Sequence, residues 1–177
     1  MQQKTTATIY VLLLSLLFTS SACAFELSTR YATIIYIKKN QLQEFNDNVF
    51  LGSLSYLTRR KRAVTVEDEV KNKLDTILEK VESTLEMYPS KIRLRVILLD
   101  SEDDVRKAYA RLYGKSRDFV AFYSPREKTL YLSLRNVTLG LLAHELAHVV
   151  IDHYFGISPP VKIHEVLAQY VETHIED

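Results

Sequence analysis

Glycine and proline are scarce in this chain of 177 residues, with four of each. Such a composition argues against a loop-rich or disordered chain and favours long regular elements. The formal net charge is only +1, and Lys4 supplies one of the positive charges. A nucleic-acid-binding protein needs a basic face that neutralises phosphates, so we expect no nucleic-acid partner.

Cysteine is almost absent as well, since Cys23 is the only one. The beginning of the chain has the pattern of an export signal, with an apolar run at 9–18 and small residues at 22–24. We therefore expect a signal peptide over residues 1–24. Residues 25–177 are then expected to form one exported domain, periplasmic or extracellular, without disulfides. Any metal site in that domain must use histidine and carboxylate ligands.

The N-terminal segment and the basic run 59–62 each have a second interpretation. Residues 20–23 loosely resemble a bacterial lipobox, which would place a lipid on Cys23 and anchor the protein to a membrane. The apolar run could also be a buried helix or an uncleaved anchor, although ten residues span only about 15 Å, half of a bilayer core. The run 59–62 is either a protease processing site or a solvated loop.

The hydrophobic pattern predicts an α+β domain with a short mixed sheet packed on helices. β-branched and aromatic residues predict strands at 33–37, 92–99, 119–123 and 129–134, of which the last two form a hairpin. Apolar residues at helical spacing predict helices at 66–87, 102–114, 137–154 and 161–174, with a further short helix possible at 41–50. Thr65 and Asp68 resemble a capping box at the start of the first long helix.

All five histidines lie in the last 34 residues, and two of them belong to the run His144-Glu145-Leu146-Ala147-His148. On a helix, positions i and i+4 share a face, so both imidazoles can reach one metal ion. Glu145 is turned by about 100° from His144 and can approach the attacking water without being a ligand. The surrounding helix is almost wholly apolar, and these polar groups would cost several kcal/mol there without a partner such as a metal ion.

A catalytic zinc ion usually has three protein ligands and a water molecule, so a third ligand is required. The spacing of a metzincin is absent, because Ile151 and Tyr154 stand where that pattern has glycine and histidine. The remaining candidate is Glu165, which follows His148 by 17 residues on the next helix. A turn at 156–160 lets that helix fold back beside the first.

The sequence around these residues resembles the gluzincin metallopeptidases of the peptidase-MA type. Such proteins carry a helix with H-E-x-x-H and, after it, a helix that reads E-G-x-A-x-Y. Here the second motif corresponds to Glu165–Tyr170, and the resemblance is specific over residues 129–175. The chain departs from the family at Val166, where members often have glycine, and at Gln169, where some have aspartate.

The resemblance implies an exported zinc metallopeptidase with a small zincin-like domain, an active-site helix and a C-terminal ligand helix. Zn²⁺ would be bound by His144, His148 and Glu165. Glu145 would be the general base in the hydrolysis of peptide or protein substrates. Gln169 would accept a hydrogen bond from a zinc-binding histidine.

Substrate contacts follow less directly from the sequence. The strand at 129–134 precedes the metal-binding helix and is the candidate for pairing with an extended peptide, unless it is an ordinary sheet strand. His164, Tyr154 and Tyr170 are candidate donors to the oxyanion of the transition state. Structural roles compete, since His164 fits a cap or surface position and Tyr170 fits core packing.

Two other functions remain open at this point. The first is a non-catalytic protein that retains the zinc site for stability or for binding a partner. Val166 and the short chain favour it, because many peptidases of this type have further domains that build a cleft. The second is a structural lipoprotein in which H-E-x-x-H is an accident. A measurement of metal content distinguishes the structural lipoprotein, which would bind no zinc, from the two zinc-binding alternatives. A peptidase assay with and without chelator then distinguishes the metallopeptidase from the non-catalytic protein.

Overall fold

The computed structural model of the protein describes residues 24–59 and 61–177. The expected signal peptide up to residue 23, with the lipid site at Cys23, lies outside this part of the chain, as does Arg60 of the basic run. Within it the protein is α+β, with five strands and six α-helices. None of the helices in these ranges combines the length and the apolar character that crossing a membrane requires.

The strands form one mixed sheet in the order β1-β2-β3-β5-β4. Their bounds are Phe25–Ser28 for β1, Ala32–Tyr36 for β2, Leu94–Leu99 for β3, Ala121–Ser124 for β4 and Thr129–Ser133 for β5. The pairs β2–β3 and β3–β5 are parallel, whereas β1–β2 and β4–β5 are antiparallel. The four predicted strands are confirmed with shifted ends. Strand β1 has no counterpart among them, because four residues with only Leu27 buried carry too little periodicity.

The helices agree with the predicted ones to within two residues at each end. Their bounds are Asn40–Asn48 for α1, Ser55–Thr58 for α2, Val66–Leu85 for α3, Glu102–Tyr113 for α4, Leu139–Tyr154 for α5 and Val161–His174 for α6. Only the single turn of α2 has no predicted counterpart, since four residues are too few to show a helical period.

Local capping explains why several of these helices begin and end where they do. The predicted capping box is present, with the Thr65 hydroxyl accepting from Asp68 N–H and the Asp68 carboxylate accepting from Thr65 N–H. The Thr138 hydroxyl caps α5 by accepting from Leu141 N–H at 3.2 Å. Helix α4 ends at Gly114, whose φ of 68° is in the left-handed region that favours glycine.

Helices cover both faces of the sheet at β5. On one face α4 packs through Val105 against Phe122 and Tyr131. On the other face Leu130 and Leu132 belong to the main core, which also holds the buried sides of α3 and α5. Because β5 lies between β3 and β4, both of its backbone edges are already paired. The expectation that 129–134 pairs with a substrate peptide is therefore wrong, and β4 is the edge strand on this side of the sheet.

Helices α5 and α6 pack antiparallel, which is the fold-back expected from the turn at 156–160. Near the start of α5, Gly140 lies against Glu172 at the end of α6. About two turns later in α5, His148 lies beside His164 in the first turn of α6. This arrangement turns the face of α6 that carries Glu165 towards the metal-binding residues of α5.

The turn before α2 provides a test of backbone strain. Gly52 has a φ of 53°, and a Cβ atom there would overlap the carboxylate of Glu176. We expect Gly52→Ala to lower the free energy of unfolding by about 1–2 kcal/mol, mainly through the left-handed backbone. Gly156→Ala is the matched control, because no atom lies within 4 Å of its Cβ position. Urea unfolding measures both, and equal losses in the two variants would contradict the assignment of strain.

Candidate metal centre

The two C-terminal helices bring His144, His148 and Glu165 together. One ligand atom of each residue lies within 4.8 Å of the others. The two carboxylate oxygens of Glu165 lie 3.7 Å from His144 Nε2 and 3.7 Å from His148 Nε2. Donor atoms arranged tetrahedrally at zinc-ligand distances are separated by roughly 3.3–3.5 Å. Each imidazole thus lies a few tenths of an ångström beyond this spacing from one carboxylate oxygen of Glu165, which makes the three side chains a candidate metal site.

Hydrogen bonding orients the His144 ring for metal binding. Its Nδ1 lies 2.9 Å from Glu172 Oε2, so the ring donates its Nδ1 hydrogen to that carboxylate. The Nε2 atom is then the unprotonated nitrogen, and it faces Glu165. A carboxylate on the outer nitrogen fixes the tautomer of a metal-binding histidine and makes it a better ligand.

The His148 ring has a weaker partner of a different kind. Its Nδ1 lies 3.5 Å from Nδ1 of His164, and the two rings stack with centroids 5.6 Å apart. The other nitrogen of His164 lies 2.9 Å from Ser158 Oγ. Burial, with a contribution from the nearby His144 and His164, lowers the pKa of His148 to about 4. The ring is therefore neutral at pH 7, as a metal ligand must be.

The hydrogen bond predicted for Gln169 is made by Glu172 instead. Gln169 is exposed, and among the described residues its side chain has no hydrogen-bond partner. Glu172 follows Glu165 by seven residues, which is nearly two helical turns, so the two carboxylates share a face of α6. Gln169 is turned by about 40° from that face. The i, i+7 spacing of Glu165 and Glu172 is the sequence signal that points to Glu172 as the hydrogen-bond acceptor for His144.

Glu145 is buried beside the three ligands, with only 8% of its surface exposed. Its Oε2 accepts a hydrogen bond of 2.8 Å from the backbone N–H of Tyr123. Burial raises the pKa of Glu145 to about 7, although nearby His144 and the Tyr123 N–H act in the opposite direction. A carboxylate with a pKa near neutrality is suited to accept and return a proton.

Tyr123 connects the edge strand β4 to α5 at two points. Besides the bond from its N–H to Glu145, its hydroxyl donates to Asp152 Oδ2 at 2.6 Å. Asp152 also pairs with Lys128, the last residue of the β4–β5 turn. Glu145 and Asp152 are seven residues apart and so face β4 together. The sequence pattern missed this contact, since it joins residues on separate elements.

The candidate oxyanion donors are placed differently from one another. His164 lies beside the His148 ring, whereas both tyrosines are turned towards solvent. Tyr154 is 48% exposed and contacts Phe155, and Tyr170 is 48% exposed and stacks on His174. The expected core packing of Tyr170 is therefore wrong, because its side of α6 faces away from α5. In the described part of the chain neither tyrosine hydroxyl forms a hydrogen bond, and the ring contacts of both are with Phe155 and His174 rather than with the candidate ligands.

Comparison of this chain with protein-family models, with curated proteins and with solved structures found no match. The assignment of function therefore depends on the motifs and on the geometry of the centre.

The buried carboxyl of Glu145 predicts a pH-dependent stability of the metal-free protein. The folded state keeps this proton up to a pKa of about 7, whereas the unfolded chain loses it near 4.5. Between these two pKa values the folded chain therefore binds one proton more than the unfolded chain. The stabilisation that comes from this proton is lost as the pH rises through that range. The neutral variant Glu145→Gln lacks the effect. We therefore expect the free energy of unfolding of Glu145→Gln, minus that of the native chain, to increase from pH 5 to pH 7.

Urea unfolding in the presence of chelator measures this difference at several pH values. The low pKa of His148 has the opposite effect on stability, but it is present in both proteins and largely cancels in the comparison. A difference that stays constant from pH 5 to pH 8 would show that Glu145 does not titrate in this way.

Proposed function

We propose that this chain is a zinc-dependent metallopeptidase of the gluzincin type, built on a small zincin-like domain. The observation that supports it most is the convergence of His144, His148 and Glu165 next to a buried glutamate on the same helix. Two imidazoles and one carboxylate form a common ligand set of catalytic zinc, which leaves a fourth position for water or substrate.

The roles of the residues follow from their positions. When bound, zinc lowers the pKa of a water molecule and polarises the substrate carbonyl. Glu145 accepts the proton of the attacking water and passes it to the leaving amine. Its burial and its bond to Tyr123 N–H hold one carboxylate oxygen and leave the other for this transfer. Glu172 keeps the His144 ring in the tautomer that presents Nε2 to the metal.

The edge strand β4 is the proposed platform for an extended peptide. Its Tyr123 N–H points away from β5, because it donates to Glu145 on α5. The edge of β4 that does not pair with β5 thus lies against the helix that carries the base, and its Tyr123 N–H is already used by Glu145. A peptide that adds to this edge by β-augmentation is held by backbone hydrogen bonds with its scissile bond near the metal. His164, beside His148, is the candidate donor to the oxyanion, but its nitrogens already face His148 and Ser158, so this role requires its hydrogen bond with Ser158 to be exchanged for one with the substrate.

An alternative function is a zinc-binding protein without catalysis. The exposure of Glu165 favours it, since 57% of this side chain is accessible and the centre is open to solvent. In that case the metal would stabilise the α5–α6 pair or bind a partner, and no peptide would be cleaved. The two functions differ in the consequence of replacing Glu145.

We expect Glu145→Gln to lower the rate of peptide hydrolysis about 10²–10⁴-fold while zinc remains bound. The substitution keeps the size of the side chain but removes the proton acceptor. The assay uses a peptide library with and without chelator, and metal content is measured by mass spectrometry. Glu102→Gln on α4 is the matched control and should leave both quantities unchanged. Zinc binding without chelator-sensitive hydrolysis in the native chain would support the non-catalytic alternative.

The role assigned to Glu172 predicts a change in metal affinity. Glu172→Ala removes the acceptor for His144 Nδ1–H and is expected to weaken zinc binding about 10–100-fold. Gln169→Ala removes an exposed side chain of the same helix and should have no effect. Competition with a chromophoric chelator measures both affinities. Weaker zinc binding in the Gln169 variant alone would show that Gln169, rather than Glu172, accepts the hydrogen bond of a zinc-binding histidine.

A further inference from the structure

A cavity of about 380 Å³ opens at the end of the sheet where β2 and β3 begin. It is lined by residues 28–33 around the β1–β2 turn, by 92–95 at the start of β3, and by 127–128 in the β4–β5 turn. It contains none of the proposed metal ligands. Its volume is in the range of small-molecule sites in proteins, which is roughly 300–1,000 Å³.

The cavity is strongly basic although the whole chain carries a net charge of only +1. Four cationic side chains line it against the single carboxylate of Glu127. These cations are Arg30, Arg93, Arg95 and Lys128. Concentrated positive charge of this kind attracts anionic ligands.

Two of the four cations already have carboxylate partners outside the cavity. Arg30 pairs with Glu79 at 3.1 Å, and Lys128 pairs with Asp152. Arg93 and Arg95 form no ion pair with any residue in the described part of the chain. The two free guanidinium groups are therefore the ones available to a ligand.

Arg93 and Arg95 are two residues apart in extended chain, so their Cα atoms are roughly 6.5–7 Å apart. The Nε–H of Arg95 donates to Thr129 Oγ1 at 3.2 Å, which orients this side chain and leaves its terminal amino groups for a ligand. Glu127, the only acidic group in the lining, accepts a hydrogen bond from the Tyr131 hydroxyl at 2.8 Å. An anion that binds between the side chains of Arg93 and Arg95 is attracted by both positive charges.

A hydroxyl group completes the set of donors. Thr29 Oγ1 accepts from the backbone N–H of Tyr31 at 3.2 Å and of Ala32 at 3.0 Å. Both bonds use the oxygen as acceptor, so the hydrogen of the Thr29 hydroxyl is left to donate to a ligand in the cavity.

We propose that this cavity binds a phosphate group, as free phosphate or as a small phosphate monoester, through Arg93, Arg95 and the Thr29 hydroxyl. The terminal oxygens of phosphate point in different directions and can accept from both guanidinium groups at once. A carboxylate presents only two coplanar oxygens, which one guanidinium fork is enough to match. The proposal is independent of the metal centre and stands whether or not the chain is a peptidase.

The test is a titration of the ¹⁵N-labelled chain by NMR with chelator present, which prevents phosphate from binding through a metal ion. Sodium phosphate, glycerol 3-phosphate and acetate are compared at constant ionic strength. We expect saturable shifts for phosphate at the amides of 28–33, 92–95 and 127–128, with much weaker binding of acetate. Tighter binding of glycerol 3-phosphate than of phosphate identifies a monoester, and equal binding identifies free phosphate.

Variants separate a site from general attraction to a basic surface. Arg93→Gln and Arg95→Gln are each expected to weaken phosphate binding about 10-fold or more. Arg95→Lys keeps the charge but loses the fork, and should weaken it less than Arg95→Gln. Arg126→Gln is the matched control, because Arg126 is exposed in the same β4–β5 turn but lies outside the cavity.

Three results would each overturn the proposal. The first is a response to phosphate that never saturates, and the second is binding of acetate as tight as that of phosphate. The third is a loss of phosphate affinity in Arg126→Gln as large as the loss in Arg93→Gln and Arg95→Gln. Circular dichroism of each variant ensures that a loss of binding is measured on folded protein.

Discussion

The register of α6 against α5 is the constraint on which the candidate metal centre depends. The third ligand and the hydrogen-bond partner of the first both come from α6, whereas the two imidazoles come from α5. A shift of α6 by one residue moves each side chain by about 1.5 Å along the helix and 100° around it. Such a shift would turn Glu165 away from His144 and His148. The chemistry is therefore possible only if the packing between the helices is specific.

Small buried side chains make that packing specific. Ala147 on α5 and Ala168 on α6 are fully buried, so the two helices can approach closely. At Gly140 a methyl group would lie 3.4 Å from Glu172 Cγ and 3.7 Å from the Glu172 backbone oxygen, so the contact between the helices has room for a methyl group but for little more. A larger residue at Gly140 would push the end of α6 outward and with it the carboxylate that orients His144.

Burial of α5 has two opposing consequences. It anchors the helix in the core, but it also removes water from the polar groups that the helix carries. An unsatisfied buried polar group costs about 1–3 kcal/mol, and each of these groups has a partner on another element. Glu145 is satisfied by Tyr123 on β4, and His148 faces His164 on α6. The polar centre thus couples the edge strand, the central helix and the last helix.

The sequence predicted the parts of this arrangement that depend on local pattern. The two C-terminal helices, the i, i+4 pair of histidines and the fold-back at 156–160 follow from helical period and turn chemistry. Strand order does not follow from such patterns, so the sequence could not decide whether 129–134 pairs with a substrate or is an ordinary sheet strand, which it is. The contact between Tyr123 and Glu145 was missed for the same reason, because it depends on how β4 lies across α5.

The open setting of the centre limits how it can act. Side-chain exposure is 57% at Glu165 and falls to 16% at His148, so the solvent reaches the metal position from the α6 side. In the proposed peptidase, exclusion of water would contribute little to catalysis, and the rate would come mainly from the metal and from the raised pKa of Glu145. The affinity for a peptide substrate would then come from the edge of β4 rather than from an enclosing cleft. This division predicts that an extended backbone is recognised more strongly than any particular side chain, since backbone hydrogen bonds along one strand are the contacts that the centre offers.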